Sequence, residues 1–134
     1  MATIFTKIAA GEIPSYKVAE NDEFYAFLDI NPLAKGHTLV IPRSVEDDYI
    51  FHLDADVYQR LWAFARKVAV ALKAAVPCQR VGVAVLGMEV PHTHIHLVPL
   101  QTEGDLDFRK KRPEVTPDEM AAVASAILAE YEKL

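Results

Sequence analysis

The sequence predicts an α+β fold, a mostly antiparallel five-stranded sheet with helices packed on it. Three observations lead there. Short apolar or alternating runs bounded by turn residues recur between residues 15 and 42 and again between 80 and 100. A long helical stripe separates these two groups, and a capped helical segment follows them. The chain has 134 residues and is 51% hydrophobic, enough for one globular domain with its own core. Residues 1–134 are read as that domain, with 113–134 as a C-terminal helical extension.

The elements follow in order. "TIFTKIAAG" reads as a short helix, with Ile4, Phe5 and Ile8 on one face and Gly11 placed to end it. "SYKVAEND" and "EFYAFLDI" read as two strands joined by a polar turn at Glu20 to Asp22, and Asn31-Pro32 breaks the second. "GHTLVIP" is a third strand, ended by Pro42. Residues 54–76 form a helix that Asp54 or Asp56 can cap, with Val57, Leu61, Phe64, Val68 and Leu72 at helical spacing. Tyr58, Trp62, Ala65 and Ala69 widen that stripe beyond what one sheet demands. The extra width meets either a deep core, with Trp62 at its rim, or a second subunit. "RVGVAVLG" reads as a buried strand and "THIHLVPL" as another. A polar loop, "TEGDLDFRKKRPEV", leads to the helix start "TPDE". There Thr116 caps, Pro117 takes the first helical position and Glu119 reaches back, and Met120, Val123, Ile127 and Tyr131 line one face.

Composition excludes several functions. The formal net charge is −5, which disfavours bulk binding of nucleic acid because that runs on phosphate neutralisation by Lys and Arg. A small phosphorylated ligand in a local pocket is still compatible with it. The single cysteine, Cys78, allows neither an intrachain disulfide nor a cysteine zinc cluster. No apolar run reaches the ~18 residues of a membrane span. The start of the chain lacks a basic segment followed by an apolar block, so a cytoplasmic protein is expected.

The informative stretch is "EVPHTHIHLVPL". On a strand, alternate residues share a face, so His92, His94 and His96 would line one side at ~7 Å steps while Ile95 and Leu97 face the core. Three chemistries are open. The histidines can be a solvated strand face. They can ligate zinc, completed by His37, Glu89 or His52. Or one imidazole can attack phosphorus and form a covalent intermediate. Attack requires one ring nitrogen with a free lone pair and the other held as a hydrogen-bond donor. The middle histidine is best placed for it, with its neighbours flanking a phosphate and donating to its oxygens.

"HTHIHLV" resembles the His-x-His-x-His pattern of the histidine triad family. "AFLDINPLAKGHTLVIP" and "TIFTKIAAGEIPSYKV" resemble its preceding segments. The resemblance covers most of the first 100 residues. It implies the histidine triad fold, a homodimer with the sheet extended across a two-fold axis, and a nucleotide hydrolase or transferase that cleaves at the α-phosphate through a nucleotidyl-histidine. His94 then resembles the nucleophile, His96 a phosphate ligand, His92 a residue that orients His94, and His37 a fourth histidine near the cluster. Asp29 resembles the acid that accepts hydrogen bonds from ribose. Phe5, Ile8, Phe27, Leu28, Ile30 and Leu39 resemble the apolar cleft for the base. The implied ligand is a nucleoside monophosphate or its conjugates, with a purine fitting a flat apolar slot and base choice loose.

The sequence also departs from that pattern. Val81 stands where many relatives carry Asn, and Met88-Glu89 where a Gln and a Ser often stand. Glu89 would repel a phosphate unless protonated or turned away, or it could hold a histidine or protonate a leaving group. Thr3, Thr6 and Val45 occupy the places of a structural zinc site found in some relatives, so no metal and no cofactor is expected. Two function classes therefore stand side by side: a phosphoramidase or nucleotidyl transferase, and a nucleotide-binding interaction module with weak chemistry. A metal hydrolase is the third and weaker alternative.

Overall fold

The computed structural model describes residues 2–44 and 47–134. Its elements are α1 (Ile4–Ala9), β1 (Lys17–Glu20), β2 (Phe24–Leu28), β3 (Thr38–Pro42), α2 (Ala55–Ala75), β4 (Arg80–Ala84), β5 (Ile95–Leu100) and α3 (Pro117–Glu132). The strands form one antiparallel five-stranded sheet in the order β1-β2-β3-β5-β4. The α+β class and the order of elements are those the sequence predicts.

The sheet is covered on both faces, and alternation along its central strands divides two cores. Phe24, Ala26 and Leu28 of β2, Val40 of β3, and Ile95 and Leu97 of β5 face α2 and α3. Tyr25, Phe27, Leu39 and Ile41 face the other way and pack with Phe5, Ile8 and Ala9 of α1. This explains why β2 and β3 are buried at every position, a pattern unusual for an antiparallel sheet with one wet face. The first core is large and the second small. A cleft sits beside the small one.

Helix α1 is six residues long, too short to persist without help. Thr3 caps it: its hydroxyl accepts from the N–H groups of Phe5 and Thr6, and the Thr6 hydroxyl accepts from the Thr3 N–H. Gly11 follows with φ +82°, as a helix-ending glycine requires. Ile4 departs from the expected shared face and is half exposed. α2 buries Leu61, Phe64, Ala65, Val68, Ala71 and Leu72, but Asp54, at its N-cap position, makes no side-chain cap bond. α3 starts on Thr116 with Glu119 reaching back, as its sequence implies.

One strand differs in kind from its expectation. "RVGVAVLG" looks like a buried strand, yet β4 ends at Ala84 and lies at the sheet edge, with Val83 half exposed and Leu86 beyond it also exposed. An apolar run alone does not distinguish a central strand from an edge whose free side faces another molecule. Among the described residues no helix is long and apolar enough to cross a membrane.

Gly36 leads directly into the site. Its φ is +99°, and an added Cβ would meet Val76 Cγ2 at 3.1 Å, Leu72 Cδ1 at 3.2 Å and Pro99 Cγ at 3.3 Å. Both the backbone and the space demand glycine. Gly36→Ala is expected to cost about 1–3 kcal/mol in stability. A denaturant midpoint equal to wild type would refute that strain.

Candidate functional site

Strand pairing carries the histidines to one place. β3 sets Leu39 opposite His96, and β4 sets Ala84 opposite the same residue. Only His96 of the three lies within a strand, because β5 begins at Ile95. Pro91 has no N–H to offer a ladder, and the His92 N–H turns back to the Val90 carbonyl at 2.8 Å. His92 and His94 therefore sit on a tight approach to β5 rather than on the expected continuous strand face.

Each of the four buried histidines has its proton placed by its partners. A backbone carbonyl can only accept, so the His94 Nδ1–H donates to the His92 carbonyl at 2.7 Å and Nε2 keeps a free lone pair. The His92 Nε2–H donates to the Pro42 carbonyl at 2.7 Å, and its Nδ1 accepts from the Thr3 hydroxyl at 2.8 Å. His37 Nδ1 accepts from the Leu33 N–H at 3.0 Å, so its Nε2–H donates to His96 Nδ1 at 3.0 Å. His96 is thereby left with a proton on Nε2. Burial favours the neutral form of three of them: it lowers His37 to about 3 and His96 to about 4, with neighbouring charge adding to both, and it lowers His92 as well. The His94 ring packs edge-on against Phe5 and His96, with centroids 5.1 Å and 5.0 Å away.

His92 corrects one expectation. It does not flank a phosphate site from the other side, because its ring is committed to Thr3 and Pro42. What it gives His94 is its main-chain oxygen. His37 likewise stands behind His96 rather than in the cleft.

Asp29 follows β2 and is part of a tight turn. Its N–H donates to the His37 carbonyl at 2.9 Å, and its Oδ1 accepts from the Asn31 N–H at 2.8 Å. Burial raises the carboxyl, while the Asn31 hydrogen bond and the Arg112 charge oppose that rise.

Two adjoining pockets meet at Asp29, Glu89, His94 and His96. One, of about 290 Å³, is walled by Phe5, Ile8, Phe27, Leu28, Ile30 and Leu39, with Ile4, Ile13 and Val90 beside them. The other, of about 210 Å³, is lined by Asn31, Leu86, Gly87, Met88, Phe108 and Arg112. The first is mostly apolar. The second gathers charged and polar groups around the His94 and His96 rings. Phe108 packs edge-on to His96 with centroids 4.8 Å apart.

Asn31, Phe108 and Arg112 escape a reading from sequence. Arg112 lies in a charged run that looks like a solvated loop, and only its return from that loop to the Asn31 turn brings it into the pocket. The one available signal is a cluster of four basic residues, Arg109 to Arg112, in an acidic chain.

The ligand atoms of Asp29, His37 and His96 lie within 4.8 Å of one another. However, His37 and His96 share a direct hydrogen bond, whereas two nitrogens on one tetrahedral zinc would stand about 3.3 Å apart with both protons gone. Glu89 does not join them, and His52 is exposed beside Asp47 at 3.5 Å. At the place of the structural zinc, Thr3 Oγ1 and His92 Nδ1 bond directly, leaving no room for an ion between them. Val45, the third position of that comparison, lies outside the described residues.

Comparison with known proteins bears on this geometry. A family model described as HIT domain matches residues 10–103. An uncharacterized HIT-like protein of Borreliella burgdorferi is 38% identical over 114 residues, covering 80% of this chain and 81% of its own. The adenosine 5'-monophosphoramidase HNT1 of Saccharomyces cerevisiae is 37% identical over 111 residues, covering 76% of this chain and 65% of its own. A hypothetical histidine triad nucleotide-binding protein, ST2152 of Sulfolobus tokodaii, superposes with a TM-score of 0.81 at 30% identity, covering 98% of this chain and 93% of its own.

The neutral buried histidines make stability depend on pH. Above about pH 6.5 they are neutral in both the folded and the unfolded chain and contribute no slope. As pH falls below that, the unfolded chain takes up protons while the folded chain resists until about 4 for His96 and about 3 for His37, so unfolding gains. Asp29, raised by burial, works in the opposite direction. The melting temperature should therefore fall more steeply between pH 6.5 and 4.5 in wild type than in His37→Asn/His96→Asn, which shares every carboxylate. Parallel slopes in the two proteins would contradict it.

Proposed function

Since this chain belongs to the HIT domain family, we propose that it cleaves nucleoside monophosphate conjugates, phosphoramidates first among them, through a covalent nucleotidyl-histidine on His94. One observation carries the reading: the His92 carbonyl takes the Nδ1 proton of His94, which leaves the Nε2 lone pair on a ring lining both pockets. A fixed tautomer is what an imidazole nucleophile needs.

In this reading His94 Nε2 attacks the α-phosphorus and the bond to the leaving group breaks. The leaving amine departs with the electron pair and collects a proton on the open side of the pocket, where Glu89 stands at the rim. The His96 Nε2–H donates to a phosphoryl oxygen, and the relay from the Leu33 N–H through His37 keeps that proton on the pocket side. Water then attacks phosphorus and gives up a proton to solvent, the P–N bond to His94 breaks with its electron pair returning to Nε2, and the monophosphate is released. Asp29 accepts from the ribose hydroxyls, with Oδ1 held by Asn31 and Oδ2 left for the sugar. The base lies against Phe5, Ile8, Phe27, Leu28, Ile30 and Leu39. An apolar slot supports a purine without reading its edge.

A second reading, a nucleotide-binding interaction module with weak chemistry, is favoured by one feature. Met88 and Glu89 stand exposed at the rim of the pocket, where relatives often carry polar uncharged side chains. During turnover of adenosine 5'-phosphoramidate, wild-type protein quenched in acid should carry one adenylyl group by intact mass. His94→Ala should carry none, turn over nothing measurable, and still bind AMP within a few-fold. Asp29→Ala should instead lose about 1.5–3 kcal/mol toward AMP and much less toward its 2′,3′-dideoxy analogue. Full turnover by His94→Ala would remove the nucleophile assignment. An adduct-free wild type that binds AMP would favour the module.

The proposed assembly is a homodimer. β4 presents a half-exposed edge with Val83 outward, Tyr49 and Phe51 are exposed next to Tyr58 of α2, and the buried Trp62 Nε1 has no hydrogen-bond partner among the described residues. A two-fold contact through this side would extend the sheet and cover these rings together with the partly exposed Trp62, which packs beside Tyr58. Light scattering across a dilution series should give twice the 14.9 kDa chain mass for wild type, and Trp62→Glu should shift it toward one chain. A wild-type mass of one chain at micromolar concentration would defeat the dimer.

A further inference from the structure

The segment after β5 brings a cation to the site. Arg109 pairs with Asp107 at 3.4 Å, and Lys110 with Asp105 at 3.9 Å. Arg112 behaves differently: among the described residues no carboxylate oxygen lies within 4.0 Å of its guanidinium nitrogens. Instead Nη1 donates to the Asn31 carbonyl at 2.6 Å and Nη2 to the Phe108 carbonyl at 3.1 Å. The guanidinium carbon stands over the Phe108 ring, 5.8 Å from its centroid. The side chain is half buried, and it lines the same pocket of about 210 Å³ as His94 and His96.

A guanidinium carries five N–H donors in a rigid plane. Two neutral carbonyls clamp its orientation, with no carboxylate of the described residues at bonding distance, and leave some of its donors free. A half-buried guanidinium that no carboxylate bonds directly keeps donors available to an anion that enters the pocket. The pocket it lines is where the reading above puts a phosphoryl group. The rim residues there, Met88 and Glu89, bring no positive charge and one negative one. His96 offers a single neutral donor.

We infer that Arg112 is an anion-binding residue of this site and donates to an oxygen of the substrate's phosphoryl group. This rests on the nucleotide reading above and adds to it the source of positive charge, supplied from the segment between β5 and α3. A planar donor fork matches two phosphoryl oxygens, and two fixed carbonyls hold it before the substrate arrives. The charge already acts inside the site: it opposes the rise of the Asp29 carboxyl and helps keep His96 neutral.

Calorimetric titration of AMP, adenosine and inorganic phosphate into wild type, Arg112→Met and Arg112→Lys tests this. Arg112→Met should weaken AMP by about 10- to 100-fold, the range of a hydrogen bond to a charged group, and leave adenosine within about twofold. Arg112→Lys keeps the charge but not the fork, and should fall between the two. The kcat/KM for adenosine 5'-phosphoramidate should drop at least as far as AMP affinity does. Unchanged AMP affinity in Arg112→Met, in a wild type that binds AMP, overturns this assignment alone. Equal losses for AMP and adenosine also overturn it, since the arginine would then only anchor its segment. A wild type that binds neither AMP nor phosphate overturns both this inference and the nucleotide reading.

Discussion

The site depends on one constraint, that a buried imidazole must be neutral and each of its two nitrogens must find a use. Four buried histidines satisfy it with no carboxylate hydrogen-bonded to a ring among the described residues, although Asp29 Oδ2 stands 3.7 Å from His37 Nε2. The donors and acceptors are the Leu33 N–H, the Thr3 hydroxyl and the main-chain oxygens of Pro42 and His92. A carboxylate partner would hold a ring's proton equally well, but it would also raise the pKa and favour imidazolium. Backbone groups set the tautomer while leaving the charge near zero. His94 therefore has a free lone pair, and His96 a proton on the pocket side, at the same pH.

That arrangement ties local chemistry to the whole fold. Leu33 lies in the turn after β2, Pro42 ends β3, Thr3 caps α1 and His92 precedes β5. A slip of one residue in β3–β5 pairing would turn His96 toward the α2 core and Ile95 or Leu97 toward the cleft. The register is protected because both faces of β3 are buried, so no slipped pairing keeps the two cores intact. Thr3 has a double role: its hydroxyl caps a six-residue helix and also fixes the His92 ring, so helix α1 is docked by the same atom that orders the site. Phe5, two residues on, then packs edge-on against His92 and His94 beside the cleft.

Legibility from sequence followed the range of the interactions. Capping at Thr116 and Glu119, the α2 stripe and the breaks at Pro42 and Asn31-Pro32 are local, and each was readable from a few residues. So were the histidines and the apolar wall, which the spacing and the resembling segments mark out. Three things were not readable. The edge position of β4 depends on what covers its free side, which an apolar run does not encode. The role of the His92 ring depends on Thr3, 89 residues away. Arg112 reaches Asn31 across 81 residues, and its run of basic neighbours looks the same whether it meets water or a pocket.

The Asn31 peptide shows how opposite charges can share a small site without cancelling. Its N–H holds Asp29 Oδ1 at 2.8 Å, and its carbonyl holds Arg112 Nη1 at 2.6 Å. The carboxylate and the guanidinium are thus fixed at opposite ends of one turn residue, each bonded to a neutral group and not to each other. A direct salt bridge would lower the energy of the empty protein, but a ligand would have to break it before using either charge. Keeping them apart leaves Asp29 facing the junction of the two pockets and Arg112 facing the smaller one. The unspent interaction energy of both charges is available to a ligand that brings hydroxyls to one and an anion to the other. A nucleoside monophosphate carries both groups on one sugar, separated by the short reach from ribose ring to phosphorus.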